Sequence, residues 1–145
     1  MDALLNNRVL IASFLAWAIA QIVKTIYAAL SQHKLMLSSL VSSGGMPSAH
    51  SALVACMATA AGRLDGISSP AFAVAVVLAG IVMYDAAGVR RAVSVQARLL
   101  NQILDKLFQG QILSQQKLYE LVGHTPIQVF AGGLLGILVG LVMTR

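Results

Sequence analysis

Charge is what this chain has least of. Only 10% of its 145 residues are charged and only five are acidic, against roughly 25% charged residues in a soluble domain. The stretches 35–62, 67–84 and 123–144 hold no Lys, Arg, Asp or Glu. A soluble globular domain is excluded, and no nucleic-acid partner is expected. Five scattered acidic residues form no carboxylate cluster for Mg²⁺, and no P-loop is present. Zinc would want closely placed His, Cys or carboxylate ligands, and the candidate set offers two well-separated histidines, His50 and His124. A metal-free, cofactor-free site is the natural reading. The single cysteine, Cys56, rules out an internal disulfide. Among Ala and Met it reads as a small buried hydrophobe.

What is present is apolar, at 58% of the residues. The class is a single integral membrane domain over residues 1–145, all-α, a polytopic helical bundle. A bilayer core about 30 Å thick needs roughly 17 to 25 helical residues. The first segment, Val9 to Leu30, spans if Lys24 faces a pocket or snorkels. The second, Ser48 to Gly62, is short, with a glycine-rich loop before it. Such backbone is tolerated only where protein or a wet cavity satisfies it. Asp65-Gly66 makes the next turn, and Pro70 opens the third segment at a position suited to the first helical turn. The fourth runs from Pro126 to Met143.

After Gly88 the pattern changes. Val89, Val93, Ala97, Leu100, Leu104 and Leu107 fall on one helical stripe. About four transmembrane helices plus one amphipathic interfacial helix are therefore expected. A polar break at 109–116 and a short helical turn at 117–122 should follow. Gly132, Gly136 and Gly140 stand four apart and allow close helix contact, within the bundle or in a homodimer.

Arg8, Arg63 and Arg145 collect on one side, and Lys34, Arg90, Arg91, Arg98, Lys106 and Lys117 on the other. The positive-inside rule puts the second side in the cytoplasm and both termini outside. Val9 to Ala20 has the look of a signal peptide, but its basic lead is weak, so an uncleaved anchor is expected.

A chain alternating across the bilayer brings the end of segment one, the start of two, the end of three and the start of four to one face. There stand Lys24, the Gly44-Gly45-Met46-Pro47-Ser48-Ala49-His50 stretch, Asp85 to Arg91, and Gly123-His124-Thr125-Pro126. Histidine in a membrane segment is costly unless it faces a cavity or partner. Ser48 and Thr125 are candidate N-caps, and helix N-termini favour anions. Arg90 and Arg91 can fork onto phosphate oxygens or serve as a topology signal. Lys24 can bind phosphate or snorkel. Asp85 should pair with Lys24 or Arg90, or orient a histidine. The set suits phosphoryl transfer, which needs positive groups around the oxygens and an in-line nucleophile. One histidine can take the phosphoryl group and the other can protonate the leaving alcohol.

At these residues the chain resembles the divergent bacterial and plastid branch of the type 2 phosphatidic acid phosphatase superfamily, which is related to acid phosphatases and vanadium-dependent haloperoxidases. The resemblance rests on Gln21 and Lys24, on Gly-Gly-Met-Pro-Ser-Ala-His, on Tyr-Asp-Ala-Ala-Gly-Val-Arg-Arg, on Gln96 to Asn101 and on Gly-His-Thr-Pro-Ile-Gln-Val. It implies a bacterial inner membrane or plastid membrane protein that hydrolyses a lipid phosphate or diphosphate through a phosphohistidine. His124 would be the nucleophile, His50 the general acid, and Asp85 a supporting catalytic group. Lys24, Ser48, Arg90, Arg91 and Gln128 would bind substrate. The departures are specific. Pro-Ser-Ala-His replaces Pro-Ser-Gly-His, no Arg-Pro follows Lys24, no Ser-Arg shortly precedes His124, and Gln128 stands where the superfamily has Asp.

A non-catalytic binder of anionic lipid or phosphate stays open as the alternative. Clustering of the polar groups at one face, not the midplane, argues against a transporter subunit. Haloperoxidase chemistry would need a stably held vanadate, for which the basic set is incomplete.

Overall fold

Polar residues that can cap a helix stand just before three of the apolar segments, and the helices start there. In a computed structural model, residues 6–32, 45–107 and 124–145 are described, except the side chains at 31, 32, 90, 91 and 105–107. The described residues form five helices and no strand: α1 Arg8–Gln32, α2 Ala49–Leu64, α3 Pro70–Ala87, α4 Val89–Leu107 and α5 Pro126–Met143. Ser48, Ser69 and Thr125 cap α2, α3 and α5, each accepting a hydrogen bond from the backbone N–H three residues on. Pro70 and Pro126 then stand in the first turn, where a missing N–H costs nothing. The expected polar break and short turn over 109–122 lie outside the described residues.

The all-α expectation holds, with a refinement in the spans. Three helical runs are long and apolar enough to cross a membrane: Arg8–Leu30, Pro70–Leu104 and Pro126–Met143. α2 has 16 residues, about 24 Å at 1.5 Å per residue, and falls short of a bilayer core. Its place explains this. α2 packs against α1, α3 and α5, and nine of its residues are buried. A helix enclosed by other helices need not match the thickness of the lipid.

Small side chains make this enclosure possible. Ala12 and Ala16 of α1 pack with Cys56, and Ala20 packs with Ala49 and Ala52. The pairs run in opposite order, so α1 and α2 are antiparallel. On the other flank Ala75 of α3 meets Ala58 and Ala61. The glycine stripe of α5 lies on α2. A Cβ at Gly132 would run into the Ser48 carbonyl oxygen, and one at Gly136 into the Ala52 carbonyl oxygen. A Cβ at Gly140 would stand 2.8 Å from that of Thr59. These pairs ascend together, so α2 and α5 are parallel. The stripe that suited either a bundle or a dimer is occupied within the chain. In lipid, where burial gives little drive, such close backbone approach is what packs helices.

At the far end, the Arg8 guanidinium donates to the carbonyls of Met143 and Arg145 at 3.0 and 3.1 Å. This satisfies orphan carbonyls at the end of α5. Gly88 joins α3 to α4: its N–H bonds the Tyr84 carbonyl, and its carbonyl accepts from Ala92. Helical bonding thus continues through the joint. On α4 the apolar stripe is mostly turned outward, with Ala97 its one buried member among the described side chains. Ser94, Ala97 and Asn101 are buried, while Val89, Val93 and Leu100 are exposed. Around a membrane bundle the outer medium is itself apolar, so hydrophobicity does not mark the inward face.

Candidate functional site

Parallel α2 and α5, with α3 antiparallel to both, put two helix starts and one helix end at the same level. A small pocket opens there, lined by His50 of α2, Val82, Asp85 and Ala86 of α3, and His124 just before α5. Its volume is about 20 Å³, close to the room one water molecule needs. The three α3 residues share a face because they are spaced three and four apart. Asp85 is partly buried, His50 exposed and His124 buried. Among the described residues, no three His, Cys, Asp or Glu side chains gather closely enough to form a metal ligand set.

The first turn of α5 is a closed network. The Thr125 hydroxyl accepts from the Gln128 N–H at 3.4 Å, and the Gln128 side-chain oxygen accepts from the Thr125 N–H at 2.9 Å. This is a reciprocal capping box. The same Gln128 Oε1 lies 3.3 Å from His124 Nδ1. The Gln128 backbone carbonyl in turn accepts from the Ser48 N–H at 3.1 Å. Gln128 was expected at the substrate; its side-chain oxygen is turned to His124 and the cap.

Ser48 is likewise engaged inside the protein. It is fully buried, its hydroxyl accepts from Ser51 Oγ at 3.0 Å, and its N–H belongs to Gln128. An anion at α2 would meet the N–H groups that follow Ser48, not that of Ser48.

Lys24 continues the stripe of Ala12, Ala16 and Ala20 by one more turn. It is 4% exposed, so it does not snorkel. Its Cγ and Cδ lie where a Cβ on Gly45 would stand 3.0 Å away. Gly45 also has φ of +98°, a conformation that favours glycine. Lys24 does not line the pocket of the two histidines; it borders the loop that leads into α2. Arg90 and Arg91 fall in the first turn of α4, just past Asp85, and their side chains lie outside the described set.

The structure thus brings together His50, Asp85 and His124. Val82 and Ala86 were missed as pocket walls, although their spacing from Asp85 was a usable signal. The contact of Gln128 with His124 was also legible, since residues four apart at a helix start can meet.

Comparison with known proteins now bears on this geometry. The family described as "Divergent PAP2 family" matches residues 5–139. The chain belongs to the divergent PAP2 family. An uncharacterized membrane protein, YuiD, of Bacillus subtilis (strain 168) is 40% identical over 151 residues, covering 97% of this chain and 96% of that protein. No solved structure matches the chain. Family membership and three helical runs long and apolar enough to cross a membrane make it an integral membrane protein of a PAP2-related family.

Proposed function

We propose that this protein hydrolyses a lipid phosphate or diphosphate at the membrane surface, through a phosphohistidine and without a metal. The observation that carries the reading is the shared pocket of His50, Asp85 and His124, in a chain of the divergent PAP2 family. His124 attacks phosphorus, so a nitrogen–phosphorus bond forms as the bond to the leaving oxygen breaks. His50 gives that oxygen its proton. Water then attacks the phosphohistidine, His50 takes a proton from it, and inorganic phosphate leaves. Asp85 balances or orients the imidazoles. Lys24, Arg90 and Arg91 supply positive charge for the oxygens. Both helix starts point their positive ends at the pocket.

The pocket has room for about one water molecule, so the phosphoryl end of a substrate would sit at its mouth while the apolar chain stays between helices or in lipid. The positive-inside rule places this face in the cytoplasm, in a bacterial inner membrane or a plastid membrane. A homodimer remains compatible with the exposed apolar faces of α1, α3 and α5.

The test is phosphate release by purified protein from phosphatidic acid, phosphatidylglycerol phosphate and a polyprenyl diphosphate, without added metal. Release lost in both His124→Ala and His50→Ala supports the reading. Release unaffected by either sinks it. A second reading, an anion binder without turnover, is favoured by one observation: a neutral amide at Gln128, not a carboxylate, faces His124. Vanadate bound by wild type and lost in His124→Ala, with no lipid phosphate turned over, would select it.

A further inference from the structure

Three sides of α2 are taken up by its partners. Ala49, Ala52 and Cys56 meet α1. Ser48, Ala52 and Thr59 meet the glycine stripe of α5. Ala58 and Ala61 meet Ala75 of α3. A fourth side remains along His50, Leu53 and Met57, which stand three and four apart on one helical stripe. His50 is exposed, and Leu53 and Met57 are half-buried.

This stripe runs between α1 and α3. Leu53 stands four residues after Ala49 and three before Cys56, so α1 borders it on one side. Met57 packs at the edge of the cluster of Ala58, Ala61 and Ala75, so α3 borders it on the other. Among the described residues, α1 and α3 share no packed interface of their own. On α3, Leu78 shares a face with Val82 and Asp85, at spacings of four and three. Val82 and Asp85 line the pocket with His50, and Leu78, one turn lower, is 42% exposed. The pocket and the stripe are therefore continuous.

We infer that the stripe of α2 between α1 and α3 seats one apolar chain of the lipid phosphate whose phosphoryl end stands at the pocket mouth. This rests on the lipid-phosphate reading above and deepens it. The surface is polar at His50 and Asp85 and apolar from there down, the order of parts in an amphiphile. From His50 to Met57 it descends about 10 Å. It is one row of side chains wide, which suits a single chain. Any second chain of the same lipid stays in the bilayer. Met57 can adapt to a chain of varied shape. The outward face of α3, with Val74, Val77 and Ile81, is just as apolar, but it does not lead from the pocket.

The experiment is photo-crosslinking in nanodiscs, with the label located by mass spectrometry. One probe is a phosphonate analogue of phosphatidic acid, which cannot be hydrolysed, with a diazirine in one acyl chain. The other is phosphatidylcholine with the same reactive chain, and it reports contact with bulk lipid. The phosphonate should label Leu53 and Met57 well above phosphatidylcholine, and Leu53→Trp should cut that labelling about tenfold by filling the groove. Val77→Trp, off the stripe, should leave it unchanged. Equal labelling of the stripe by both lipids in wild type overturns the inference, with no need for a folded variant. Preferential labelling beside absent phosphate release would leave the groove standing and remove the phosphatase. Phosphate release that needs both histidines, beside a stripe the phosphonate does not label, would do the reverse.

Discussion

The Ser48 N–H donates to the Gln128 carbonyl at 3.1 Å, and this one bond ties the first turns of α2 and α5 together. His50 lies two residues after the donor and His124 four before the acceptor. The separation of the two histidines is therefore set by how α2 and α5 pack, and that packing runs down the glycine stripe from Gly132. Two parallel helices also bring two positive dipole ends side by side, an arrangement an anion would relieve.

Gly132→Leu should break this arrangement. Its side chain would meet the Ser48 carbonyl and Ser51, and overpacking of this kind costs about 1–3 kcal/mol or more. Gly80 is the control, since a Cβ there meets nothing within 4 Å. Thermal unfolding in detergent should show a clear loss for Gly132→Leu and a change for Gly80→Leu within about 0.5 kcal/mol. Equal losses would mean that the stripe does not hold the bundle.

Gly45→Ala should also destabilise, for a different reason. An L side chain at φ +98° is strained by roughly 1–2 kcal/mol, and its Cβ would press on the Lys24 stem. Lys24→Met keeps an unbranched stem beside Gly45 and removes the charge. Its stability should match wild type more closely than Gly45→Ala does, while vanadate binding weakens. Full vanadate affinity in Lys24→Met would remove Lys24 from the anion site.

Much of this was legible in the sequence, because local chemistry sets helix starts. Ser69-Pro70 and Thr125-Pro126 announce α3 and α5, and the change after Gly88 announces α4. The alternation of spans sufficed to put Asp85 near two histidines distant in sequence. Other features depended on contacts that no local pattern carries. Small residues four apart fit a partner in the same chain as well as one in a second copy, so Gly132 did not name Ser48. A short α2, uncharged until Arg63 in its last turn, looks like any marginal span until three helices are found around it. On α4, Ser94 and Asn101 are buried and Val93 is not, because periodicity finds a face but not which medium it meets. The bond from Ser48 to Gln128 joins backbones 80 residues apart and leaves no mark in side-chain spacing.

Arg90 and Arg91 should differ when replaced. Adjacent residues on a helix project about 100° apart, so one phosphate would not meet both arginines alike. Under the phosphatase reading, Arg90→Ala and Arg91→Ala lower phosphate release unequally, with insertion of both variants unchanged by protease accessibility. Equal effects on release, with altered orientation, would make the pair a topology signal.

The most direct measurement is a rapid acid-free quench of the protein with ³²P-labelled phosphatidic acid or polyprenyl diphosphate, followed by mapping of the label. The account predicts label on His124, stable to alkali and lost in mild acid, absent from His124→Ala and accumulating if His50→Ala slows the water step more than the transfer. Steady phosphate release with no label on His124 would contradict it.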